Sequence, residues 1–360
     1  MASEKQHAQN HDDYTIAVVC AMDFEMSAFR YMLDREHPRL RNKDGDPNMY
    51  TLGELYGHNI ILASLPGTQG KGSAATVATN LARTFPRIKW RFLLGIGGGV
   101  PTKHDIRLGD VVVSMPEGQY GGVVQYDLGR DSENGFHLKG FLAAPPSLLR
   151  GAVSTMKSDL MVKENKIDEF ISAMMKRGRR LAAYARPSDE TDILFESDYS
   201  HESNASSCDR CDRTRCIRRP TRTFEGPEIH YGLIASGDSV VKNVARRDMI
   251  TREVGDVLCL EMEAAGMMTE FSCIVIRGIS DYADTHKNDQ WHFYAAATAA
   301  ACAKELLSYL DPEHTESAQP SSTFPPSQDS RGSSVFNGTG IQNTGNFSVG
   351  RDISISSPRH

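Results

Sequence analysis

Two short runs constrain this chain more than any other feature. Residues 259–266 read Cys-Leu-Glu-Met-Glu-Ala-Ala-Gly, and residues 277–284 read Arg-Gly-Ile-Ser-Asp-Tyr-Ala-Asp. Each sets carboxylates beside apolar sequence that belongs in a core, and charges are rarely fully buried without a partner or a task. Residues 273–276, Cys-Ile-Val-Ile, predict a short core strand with Asp281 just past its carboxyl end. That edge is where α/β sheets bind ligands. Far upstream, residues 16–22 form a second apolar run, with Glu25 close behind. Acidic groups at several strand ends point to one acid/base site assembled from distant segments.

A chain of 360 residues fits two domains or one large α/β domain with additions, and 39% hydrophobic residues supply a large core. The net charge of -6 argues against non-specific nucleic-acid binding. No run reaches the roughly 18 apolar residues of a membrane span. Residues 1–13 are polar, without the apolar stretch of a signal peptide, and read as a disordered leader. Of seven cysteines, Cys20, Cys259, Cys273 and Cys302 lie in core-like segments. The expectation is a cytoplasmic protein that binds neither nucleic acid nor membrane.

Periodicity places strands at about 15–20, 49–55, 58–65, 90–96, 110–114 and 229–235. Helices fall at about 23–33, 70–84, 242–253, 262–270 and 291–310, with helical periodicity across 145–185. Glycines 95, 97, 98 and 99 read as a turn at the end of the strand at about 90–96, where backbone N–H groups could approach a ligand. Their spacing is neither a dinucleotide fingerprint nor a P-loop. The order of elements implies an α/β fold, a three-layer αβα sandwich around a mixed, partly barrel-like central sheet. A folded unit at 14–311 carries a Cys- and Arg-bearing insertion or lid at about 186–228. A Ser/Pro/Gln-rich disordered linker follows at 312–332. Residues 333–355 alternate Asn, Gln and Gly with apolar residues, a pattern fit for in-register stacking as an amyloid-type signalling motif or for a flexible tail.

Taken together, residues 21–25 (Ala-Met-Asp-Phe-Glu), the glycine run with Leu108-Gly109-Asp110, residues 232–238, residues 261–265 and residues 279–284 resemble the nucleoside phosphorylase and nucleosidase superfamily. The methylthioadenosine/S-adenosylhomocysteine nucleosidases are the nearest branch, and residues 282–288 with Trp291 resemble its fungal, immune-receptor-associated form. The resemblance implies cleavage of a purine N-glycosidic bond without a catalytic cofactor. Asp281 would be the general acid, helped toward its protonated form by burial beside Ile276 and Ile279. Glu25 would activate water, and Glu263 would bind the ribose hydroxyls and favour a cationic sugar. Met262 would pack on the sugar. Ser236, Gly237, Val240 and Val241 would border the base, with Met22, Gly97, Gly98 and Glu261 completing the substrate site. A carboxylate at 25, where phosphorylases carry a phosphate loop, favours hydrolysis over phosphorolysis. The immune-associated form is thought to act on ATP. A methylthioadenosine nucleosidase, a purine nucleoside phosphorylase and a non-enzymatic nucleotide sensor are the alternatives. Homo-oligomers are common in the family, and the tail motif would engage an immune receptor.

The insertion carries Arg218, Arg219 and Arg222 in a basic run. They read as a solvated loop or as a cage for a 5′-phosphate chain. Cys208, Cys211 and Cys216 have part of the spacing of a structural zinc site, with His201 or His230 as fourth ligand, or are free surface thiols.

Overall fold

The computed structural model of the chain describes residues 9–133, 135–201, 208–224, 226–286 and 289–312. The tail motif at 333–355 and all of the linker beyond Pro312 lie outside them. β1 (Ile16–Cys20) leads into α1 (Asp23–Arg30), then β2 (Arg35–His37), β3 (Tyr50–Leu55) and β4 (His58–Ser64). α2 (Lys71–Thr84) precedes β5 (Trp90–Gly99), β6 (Val111–Ser114), β7 (Val123–Gln125) and the pair β8 (Gly129–Ser132) and β9 (Gly135–Leu138). α3 (Ser147–Asp159) and α4 (Ile167–Met175) come before the insertion. β10 (Ile229–Ser236), α5 (Val244–Val254), β11 (Val257–Glu261), α6 (Ala264–Met268), β12 (Ile274–Asp281) and α7 (His292–Leu307) complete the described chain.

The sheet closes on itself over part of its width. β5 pairs in parallel with β1 and β12, and antiparallel with β11 through Gly99 and Gly98. β11 continues to β10, β10 to β6, and β6 back to β12. These five strands form a closed ring, while β1, β4, β3 and β2 extend it as an open sheet. β1, β11 and β12 are buried along their whole length, as strands covered on both faces must be. α7 packs on β12, and its Ala-rich sequence allows the contact: a side chain at Gly278 would collide with the Ala295 backbone.

Two expectations need correction. The glycine run is not a turn; β5 continues through Gly99, because β11 must cross close above it. The leader is ordered from Gln9: Asn10 caps a short 3-10 turn at His11–Asp13, and Gln9 donates to Asn59 at 3.1 Å. Residues 1–8 lie outside the description. The insertion is a chain of 3-10 turns laid against the core, tied by a bridge between Phe195 and Cys216. β2, β7 and the β8–β9 pair are too short or too polar to show in the sequence pattern.

Candidate active site

Glu25, in the first turn of α1, turns back onto the end of β1. Its Oε2 accepts from the backbone N–H groups of Ala21 and Met22 at 2.9 and 2.8 Å. Its Oε1 accepts from Ile96 in β5 at 2.8 Å. Burial pushes this carboxyl up to about 7, against the pull of Arg277 and of the backbone donors. Glu263 lies just before α6. Its Oε1 accepts from the Gly70 N–H at 3.1 Å, and burial raises its pKa, with Arg277 opposing and Glu261 adding to the rise. Gly70 caps α2 at φ +100°, a conformation that favours glycine.

Asp281 is re-aimed by a bulge. Ile279 pairs with Gly97 and Asp281 with Gly98, so Ser280 is the extra residue. The Ala283 N–H donates to Asp281 Oδ1 at 2.9 Å and the Ser280 hydroxyl to Oδ2 at 2.8 Å. Ala283 itself adopts φ +52°, uncommon for a residue with a side chain and frequent at working sites.

Arg277 occupies the middle of the site, fully buried inside β12. Its Nη2 donates to Glu261 Oε2 and to Glu263 Oε2, the latter at 3.2 Å. Burial opposes a charge on Arg277, but Glu261, Glu263 and Glu25 together hold its guanidinium protonated above the ordinary range. Glu261 also accepts from the Glu263 and Ala264 N–H groups, which fastens the start of α6.

A single cavity of about 350 Å³ is lined by Glu25, Glu261, Glu263, Asp281 and Arg277. Met22, Gly97, Gly98, Val240, Val241 and Met262 line it too, so the structure brings these predicted residues together. Its size suits one small ligand. Ser236 and Gly237 do not line it. The Ser236 hydroxyl accepts from Ala265, and Gly237 lies under the Tyr126 ring. The sequence reading missed Arg277, Gln69, Lys242 and His292 in the lining. Of these only Arg277 had a visible signal, a lone cation inside an apolar strand.

The insertion does not reach this cavity with its arginines. Arg222 forms a bidentate pair with buried Asp110 at 2.7 and 2.6 Å, and His230 joins the same carboxylate at 3.0 Å. Arg219 holds Asp192 at 2.9 Å and the Tyr282 hydroxyl at 2.7 Å. Both border a separate, larger cavity of about 820 Å³ in which Arg107 and Arg186 also have aspartate partners. Arg218 is exposed elsewhere. No described residue of the insertion lines the acid cavity, so neither the cage for a 5′-phosphate nor a lid over this cavity is present among them. Cys216 likewise stands apart from Cys208 and Cys211.

Among the described residues, no helix is long and apolar enough to cross a membrane. The sequence profile of the Phosphorylase superfamily matches residues 15–310. An NLR-like (nucleotide-binding leucine-rich repeat) protein of Hyaloscypha variabilis is 39% identical over 304 residues, or 84% of this chain. The chain spans only 30% of that relative's length. Among solved structures, the methylthioadenosine/S-adenosylhomocysteine nucleosidase of Neisseria meningitidis, in complex with methylthio-immucillin-A, superposes with a TM-score of 0.53 at 22% identity. The superposition covers 82% of this chain and 99% of that one. Futalosine hydrolase of Helicobacter pylori gives 0.53 at 18% identity, covering 84% and 100%. Fold and profile agree with the strand-end acids: the chain belongs to the nucleoside phosphorylase and nucleosidase superfamily.

Proposed function

We propose that this protein hydrolyses the N-glycosidic bond of a purine nucleotide, with ATP cleaved to adenine and ribose 5-triphosphate as the leading reaction. One observation carries the reading: Glu25, Glu263 and Asp281, from three distant segments, line one cavity of nucleoside size. In the reaction the C1′–N9 bond breaks with its electron pair leaving on the base. Asp281 gives its proton to N7 of that base, and the Ser280 hydroxyl and the Ala283 N–H donate to the carboxylate that results. Water attacks C1′ and yields its proton to Glu25. Glu25 Oε2 is occupied by two backbone donors and Oε1 by one, which leaves an acceptor direction on Oε1 for that water. A carboxyl with a pKa of about 7 is matched to base work at neutral pH. Glu263 would hold the ribose hydroxyls, with Met262 against the sugar face.

Hydrolysis is favoured over phosphorolysis by charge. Glu25, Glu261 and Glu263 face one guanidinium in the lining, and that guanidinium is already engaged by two of them. Such a site attracts a cationic sugar and repels phosphate dianion. The nucleotide reading draws on the NLR-like relative and on Lys242, a cavity-lining cation without an ion-pair partner among the described residues. Lys242 would meet phosphates that extend out of the cavity. Apolar Met22, Val240 and Val241 favour the second reading, a methylthioadenosine-type thioether substrate. In the wider proposal the domain is an immune effector that works in the cytoplasm as a homo-oligomer, with an immune receptor as partner through the tail. Product analysis with ATP, AMP and methylthioadenosine, with and without phosphate, tests these statements. Adenine release from ATP independent of phosphate is expected. Equal or better turnover of the thioether overturns the nucleotide reading, and phosphate dependence overturns hydrolysis.

A further inference from the structure

We infer that His201, Cys208, Cys211 and His286 form a structural metal centre of the thiolate–imidazole kind that takes zinc, stapling the insertion to the segment that follows Asp281. One candidate ligand atom from each residue lies within 4.8 Å of all the others. His286 Nδ1 is 3.8 Å from Cys208 Sγ and 3.7 Å from Cys211 Sγ. A tetrahedral zinc with bonds of about 2.3 Å to sulfur and about 2.0 Å to nitrogen separates S from N by about 3.5 Å, so the group is nearly at ligating distance already. The second nitrogen agrees. His286 Nε2 lies 3.1 Å from the Tyr199 carbonyl, so it carries the proton and Nδ1 faces the sulfurs with its lone pair. Metal-bound histidines are held in this way. Two thiolates would neutralise a divalent ion, and Cys211 and His286 are buried.

This ligand set corrects the one read from cysteine spacing. Cys216 lies outside the cluster, and His230 serves Asp110. The replacement, His286, comes from the core rather than from the insertion. Its backbone N–H donates to Asp284 at 2.8 Å, and the His201 N–H donates to Thr285 at 2.9 Å. The ring of Phe195 stacks on His286 at 3.9 Å. Asp281, Cys208 and His286 border one small cleft, so a metal here would fix the backbone that carries Asp281 and Ala283. The metal centre stands independently of the proposed reaction.

The test uses the full chain, purified without chelator, and elemental analysis by mass spectrometry. About one zinc per chain is expected, retained in Cys216→Ser and lost in Cys208→Ser and His286→Gln. Cobalt(II) exchanged into the unmodified protein should give a thiolate charge-transfer band, which needs no variant to fold. Zinc removal should raise hydrogen exchange at 282–286 and 208–211 together. Unmodified protein that takes up neither zinc nor cobalt overturns the centre. So does zinc that survives His286→Gln but not Cys216→Ser.

Discussion

One nitrogen of Arg277 serves two carboxylates: Nη2 donates to Glu261 Oε2 and to Glu263 Oε2. Glu25 completes the charge around it. This arrangement makes Arg277 the keystone of the site without placing it among the reacting groups. Removing one partner of a buried ion network leaves uncompensated charge, with losses of about 3–5 kcal/mol. Arg277→Met should therefore destabilise the protein by about that amount in denaturant unfolding. A midpoint unchanged from the parent would show that the carboxylates simply take up protons instead.

Asp281→Asn keeps an oxygen to accept the Ala283 N–H but removes the proposed proton donor. Turnover should fall by about 10²–10⁴-fold, the usual contribution of a positioned acid, while substrate affinity and melting temperature change little. Single-turnover kinetics with a binding assay would separate the two. A variant that binds and cleaves at the parental rate removes Asp281 from the chemistry.

Much of this site was legible because the superfamily pattern lies in short runs. Glu25, Met262, Glu263 and Asp281 each sit beside an apolar strand, and all line the cavity. What sequence could not supply was pairing across long distances. The run from Arg210 to Arg222 looks like a phosphate cage until Asp110, Asp192, Glu196 and Asp198 are seen to engage it. Cys208 and Cys211 suggest a metal, but His286 lies 75 residues beyond Cys211 and has no spacing signal. The glycines at 95–99 look like a loop because their tight neighbours, Arg277, Cys259 and Asp281, are supplied by other strands.

Those neighbours give a steric prediction. A methyl group at Gly95 would meet the Arg277 guanidinium and the Glu25 carboxylate, whereas at Gly98 it would stand 3.0 Å from Asp281 Oδ1 and from the Ala283 side chain. Gly95→Ala should lower both stability and turnover, because neither charged group can yield without breaking the network. Gly98→Ala should mainly lower turnover, by displacing Asp281. Melting curves beside kcat would check the contrast, and equal losses of stability would contradict it.

Glu25 sets a pH dependence of definite sign. Its ordinary value of 4.5 becomes about 7 in the folded protein. Between those values the folded protein holds a proton that the unfolded chain has lost, so this group's contribution to stability falls as pH rises across that window. The base form appears only above it, so kcat should rise through about pH 7 and then level. Glu25→Gln should abolish the rise along with the activity. A profile flat from pH 5 to 8 would exclude Glu25 as the base.

The two cationic regions can be told apart by one pair of variants. Arg222 holds Asp110, which is 1% exposed, and Arg222→Ala leaves that carboxylate with His230 and the Arg107 and Glu228 N–H groups but no permanent cation. The expected result is a stability loss of about 3 kcal/mol with KM for ATP unchanged in protein that remains folded. Lys242 is exposed at the acid cavity, so Lys242→Ala should leave stability alone. If it meets the phosphates, KM for ATP should rise by about tenfold, about 1.4 kcal/mol of binding, while KM for adenosine stays level. That rise should shrink in high salt, as a solvent-exposed charge contact must. A larger effect on ATP from Arg222→Ala than from Lys242→Ala would reverse the assignment and return the phosphates to the insertion.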